Sequence, residues 1–82
     1  MKKATRIRCA SAKSAAELDV WAEANVSGCR WVTTSEINFL PDSPGDHGYV
    51  TVITTFVLVL MDADEAYAEQ IKLMAALRWL KN

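Results

Sequence analysis

The segment Pro41-Asp-Ser-Pro-Gly-Asp-His-Gly48 holds both prolines and two of the three glycines in the chain. Proline cannot donate to a β-ladder and glycine opens positive-φ backbone, so the chain has to turn here. On either side, Arg30–Leu40 and Tyr49–Met61 are dense in Val, Ile, Thr and aromatic residues, the composition of two strands joined as a hairpin. Trp31, Ile37 and Phe39 share one face of the first strand. Val50, Val52, Phe56, Leu58 and Leu60 share one face of the second. Side chains alternate with period two, so the paired residue numbers must sum to an odd value for both apolar sets to meet on one side. We expect Phe39 opposite Val50, Ile37 opposite Val52 and Ser35 opposite Thr54, which brings the central polar pair together.

The reverse face of this hairpin carries Thr34, Glu36 and Asn38 beside Tyr49, Thr51, Ile53, Thr55, Val57, Val59 and Met61. Such a Thr- and Val-rich surface suits packing against a second sheet. In a lone copy, the adjacent Val57, Val59 and Met61 are expected to be wet.

The flanks supply three more elements. Residues 3 to 9 alternate weakly and read as a short strand with one charged face. A helix opens at Ser11 or Ser14; Ser14 and Glu17 have the spacing of a capping box, in which each satisfies an orphan backbone donor. Leu18, Trp21, Ala22 and Asn25 or Val26 form its apolar stripe, and Gly28 is the expected stop. The last segment, Asp62–Lys81, is a second helix, with acids in its first turn and bases in its last, as the helix dipole favours. At 100° per residue, Ala63, Ala66, Tyr67, Ile71, Leu73, Met74, Leu77 and Leu80 form its broad apolar stripe. Trp79 lies almost opposite with Ala68, Lys72 and Ala75, and reads either as an anchor for a partner or second subunit or as an indole folded back onto its own Lys72 stem.

These elements assemble as β-α-β-β-α, a single α+β domain spanning residues 1–82. A right-handed crossover makes the first two strands parallel and the hairpin antiparallel, a three-stranded mixed sheet with both helices on the face of Trp31, Phe56 and Leu58. The topology resembles a ferredoxin-like sandwich that lacks its fourth strand. Pairing with another copy would close the open edge, so we expect a homo-oligomer, a dimer first. A chain of 82 residues has a small core and gains from such a partner.

Hydrophobic residues make up 51% and charged residues 23%, which excludes a disordered chain. The net charge of −1 excludes a histone-like or polyacidic protein. It is unevenly placed: Lys2, Lys3, Arg6, Arg8 and Lys13 all precede the first acid, Glu17. A weak nucleic-acid binder acting through this basic N-terminal strand is therefore one alternative, although no aromatic is interleaved to stack on bases. The longest apolar run, Phe56–Met61, is too short to span a bilayer. With no secretory signal, the expected location is the cytoplasm. Short chains of this kind are common in phages and plasmids, an association that no residue carries.

Few residues offer chemistry. Cys9 and Cys29 fall at opposite ends of the sheet, on the order of 20 Å apart at about 3.3 Å per residue, too far for a disulfide. Asp42, Asp46 and His47 match no metal-ligand spacing, and Asp62, Asp64 and Glu65 serve the helix dipole. No metal or cofactor is expected. The leading reading is an oligomeric binding protein with Thr51, Ile53, Thr55, Val57, Val59 and Trp79 at its interface. Its partner is another copy, a different protein or a small apolar ligand. The other alternative is a small enzyme or ligand binder with a subunit-junction site at Asp46, His47 and Tyr49.

Overall fold

The computed structural model describes residues 3–41 and 50–80. They form strand β1 (Ala4–Cys9), helix α1 (Ala15–Asn25), strands β2 (Arg30–Pro41) and β3 (Val50–Met61), and helix α2 (Glu65–Trp79). Element order and class agree with the sequence: an α+β fold of a three-stranded sheet and two helices.

The sheet differs in one respect. Its order is β1-β3-β2, and β3 is antiparallel to both neighbours, so it is antiparallel throughout rather than mixed. β1 and β2 do run in the same direction, as the crossover requires, but β3 lies between them. The reason is in β3 itself. Val57, Leu58, Val59 and Leu60 are buried, so this run is apolar on both sides and gains most from the central position. β1, with Arg6 and Arg8, suits an edge.

The register also moves. Phe39 faces Val52, Ile37 faces Thr54 and Ser35 faces Phe56, two residues from the expected pairing. Parity is preserved, so every side chain keeps its expected face. Met61 is level with both Ala4 and Arg30, so the three strands are flush at one end. That alignment sets the register, and the polar pair yields to it.

The caps follow local rules. Ser14 Oγ accepts the Glu17 N–H at 3.2 Å, and Glu17 returns to the Lys13 N–H at 2.9 Å, one residue upstream of a standard capping box. α1 ends when Val26 turns extended, its N–H still bonding Ala22 C=O. Gly28, at φ +80°, makes the bend two residues later. Asp64 caps α2 by accepting the Tyr67 N–H at 3.3 Å.

Both helices cover the same sheet face, where Ile7, Cys9, Leu58 and Leu60 join Leu18, Ala22, Ile71 and Trp79 in one core. They are shorter than the hairpin. Twelve-residue strands reach about 40 Å, whereas helices of 11 and 15 residues reach about 16 and 22 Å. β1 pairs only with Phe56–Met61. The distal half of the hairpin therefore leaves the body as a two-stranded ribbon, and the molecule measures 50 × 27 × 21 Å.

Leu58 is fully buried beneath both helices. Leu58→Ala is expected to cost about 3 kcal/mol, a large share of what a domain this size has. Ile37→Ala, on the exposed ribbon, should stay within roughly 0.5 kcal/mol. Urea unfolding followed by circular dichroism checks both, and equal losses would contradict this placement of the core.

Candidate interaction surfaces

The two helices are clasped by tryptophan and glutamate. Trp79 meets Trp21 edge to face, with ring centroids 5.1 Å apart, a favoured aromatic geometry. Its indole Nε1 donates to Glu17 Oε1 at 3.1 Å, so the ring is buried without losing its hydrogen bond. Ser11 Oγ donates to the Trp79 carbonyl, and the Arg78 guanidinium sits 5.7 Å from the indole centroid. Trp79 is only 3% exposed. Its expected position on the outer face of the helix is therefore corrected: the indole belongs to the chain's own core. The buried stripe of α2 is Ala68, Ile71, Ala75 and Trp79, because the alanines let the helix approach β1 closely while the indole fills the space towards α1.

Turning that side inward exposes the opposite one. Leu73, Leu77 and Leu80 recur at helical spacing and are 66%, 90% and 69% exposed. At about 100° per residue, Leu77 lies roughly 160° around the helix from Trp79. Acidic residues Glu65 and Glu69 lie towards the N-terminus of α2, and Lys72 and Arg78 towards its C-terminus. The leucine stripe thus runs along a helix with opposite charge at its two ends.

On the reverse sheet face, alternation places Thr51, Ile53, Thr55, Val57 and Val59 together. Thr51 and Ile53 are exposed and Thr55 is half-buried. Val57 is fully buried and Val59 nearly so, against the expectation that a lone copy leaves them wet. Each is flanked on both sides: Val57 by Arg8 and Thr34, Val59 by Arg6 and Val32. Arginine stems cover apolar surface while their heads stay in water. Arg8 also reaches across β3 to Glu36, its Nε 3.0 Å from Oε1 and donating to Oε2 at 3.3 Å. Trp79 is on the other side of the sheet and does not join this group.

The ribbon carries a further apolar set. Ile37, Phe39 and Val52 on the helix-bearing face, and Leu40 and Ile53 on the reverse face, are exposed. Asp46, His47 and Tyr49, the candidate ligand residues, lie outside the described residues; so does Asp42.

Both cysteines are free. Cys9 is level with Phe56 and Cys29 precedes Arg30, which is level with Met61, so they occupy opposite ends as expected. Among the described residues, no three His, Cys, Asp or Glu side chains gather as a metal site, and no helix is long and apolar enough to cross a membrane. Comparison with known proteins finds no matching family model, no similar curated protein and no matching solved structure.

The leucine stripe was in the sequence as part of the expected buried face. Its signal was that α2 has two apolar sides, of which only one can face the sheet.

Two titrations test this geometry. The Glu17 carboxyl is held below its ordinary value, first by the Lys13 N–H, then by the Trp79 indole and the Arg78 charge. A carboxylate lowered in the folded state stabilises above its ordinary value, and that contribution fades as pH falls through the lowered one. Melting temperatures taken downward from neutral pH should therefore drop less steeply in Glu17→Gln, and parallel curves would contradict the clasp. Burial pushes the Cys9 thiol up to about 11, so it stays protonated and unreactive near neutrality. A thiol reagent should label Cys29 alone in the native protein and both cysteines in urea.

Proposed function

We propose that this protein works by binding, as a two-fold homodimer in which the α2 helices of two copies pack antiparallel along Leu73, Leu77 and Leu80. The observation that carries the reading is that stripe, fully presented on a helix whose inner face is already satisfied. The occupant follows from symmetry and the helix dipole. An antiparallel pair centred near Leu77 sets Leu73 of each copy beside Leu80 of the other, and it opposes the two helix dipoles. A parallel pair would align them. Two-fold symmetry uses the same patch on both copies, so one stripe suffices.

The subunit corresponds to a ferredoxin-like sandwich without its fourth strand, and dimerisation adds the apolar burial that so short a chain has in short supply. Two unpaired thiols suit a reducing compartment, and we place the protein in the cytoplasm.

Light scattering across a concentration series is expected to show twice the 9.1 kDa chain mass. Burying a leucine is worth about 1.5–3 kcal/mol and each counts twice in a symmetric dimer, so Leu77→Lys should weaken association by at least about 100-fold. Its circular dichroism should be unchanged, since Leu77 is 90% exposed. Ile53→Lys, on the reverse sheet face, should leave the dimer intact. A monomeric parent defeats the reading, and dissociation by Ile53→Lys alone moves the contact to the sheet.

A further inference from the structure

We infer that the groove between the outer edge of β1 and helix α2 binds an extended acidic peptide, which adds to the sheet as a fourth strand. The site touches the leucine stripe only at Leu80 and does not depend on self-association. β1 is an edge strand, and alternate residues of an edge direct backbone N–H and C=O groups away from the sheet, a template for another strand. Beside it is a cavity of about 270 Å³ lined by Arg6, Arg8 and Lys72 with Ala75 and Ala76. Its lining contains three cations and no carboxylate. A second cavity beside β1 is lined by Lys3 with Glu65 and Glu69, so cations outnumber carboxylates only in the one beside Arg6 and Arg8.

This arrangement specifies a pattern. Side chains of an added strand point alternately to the two sheet faces. On one face they meet Arg6 and the stem of Arg8, whose guanidinium is turned across β3 to Glu36; on the other they meet Lys72 and the small side chains of α2, Ala75 and Ala76. The ligand is therefore a segment alternating acidic with apolar residues. A second copy's β1 is a poor occupant, because its Lys3, Arg6 and Arg8 would face the same cations. β2 offers one acid, Glu36, already joined to Arg8. A single-stranded nucleic acid would need an aromatic platform, and the indole lining this groove, Trp79, is 3% exposed. Nor does it present the regular backbone donors and acceptors that an open strand edge pairs with.

The test is fluorescence anisotropy with a labelled six-residue peptide alternating Glu and Val. Binding should weaken with salt and fall at least tenfold for the Lys-Val peptide, for Arg6→Glu and for Lys72→Glu. It should fall as far for the Glu-Val peptide N-methylated at alternate residues, which keeps the charge but cannot pair as a strand. Leu77→Lys should bind as the parent does, which separates this site from the dimer contact. Equal binding of the N-methylated peptide, no effect of either charge reversal, or preference for a labelled oligouridylate over the Glu-Val peptide would each overturn the inference.

Discussion

Burial of four consecutive residues, Val57 to Leu60, is the constraint from which the other features follow. A strand that is apolar on both sides has to be central and covered on both faces. Being central, it separates β1 from β2 and makes the sheet antiparallel. On one face Leu58 and Leu60 recruit both helices. On the other, no helix among the described residues is available, and cover comes from the arginines of β1, the β-branched residues of β2 and the Arg8–Glu36 pair spanning the strand between them. An exposed ion pair contributes little energy by itself. Here its effect is to keep two long side chains lying across Val57.

The orientation of α2 is the next consequence. With β3 central, the helix must return over β1, where Ile7 and Cys9 stand on the core face. Two apolar sides compete for that seat. The leucine side has more branched hydrocarbon, but the alanine side permits close approach and delivers Trp79 against Trp21. An indole buries more area than a leucine, and its N–H finds Glu17. Glu17 is itself fixed by the start of α1, so helix capping and the interhelical contact share one carboxylate. The cost of that choice is a row of leucines left facing water.

Much of the architecture was legible because it rests on local rules. The Pro/Gly segment announced the antiparallel pairing of its flanks, Ser14 stands where a cap belongs, and alternation assigned residues 31–40 and 51–60 to their correct faces. Strand order and register were not legible in the same way. Alternation fixes parity alone, and a shift of two residues leaves each face unchanged, so flush strand ends decided the matter. Strand order depended on reading Val57–Leu60 as buried on both sides, whereas the reverse face was read as awaiting a partner. Trp79 was misplaced for a related reason. A hydrophobic stripe is ranked by its side chains taken separately, but docking depends on what stands opposite, here Trp21 and Glu17 from a segment more than fifty residues away. The candidate surfaces were correspondingly half visible: the leucines were noted only as part of a buried stripe, and the basic strand was read as a surface for nucleic acid.

The two edges of the sheet are defended differently, and this bears on how a protein with several open surfaces avoids indiscriminate association. β1 carries Arg6 and Arg8, with Lys3 just before it, and these repel another β1 and select for negative charge. β2 has one charge between residues 31 and 40, Glu36, and that charge is drawn inward by Arg8. By charge alone β2 is the less protected edge. Its protection is geometric. Asp19 accepts a hydrogen bond from Thr33 at 2.8 Å, which holds α1 close over the inner half of β2, and Pro41 ends the ladder at the tip. The charged edge is thus the one left accessible along its length, and charge, unlike hydrocarbon, discriminates between partners.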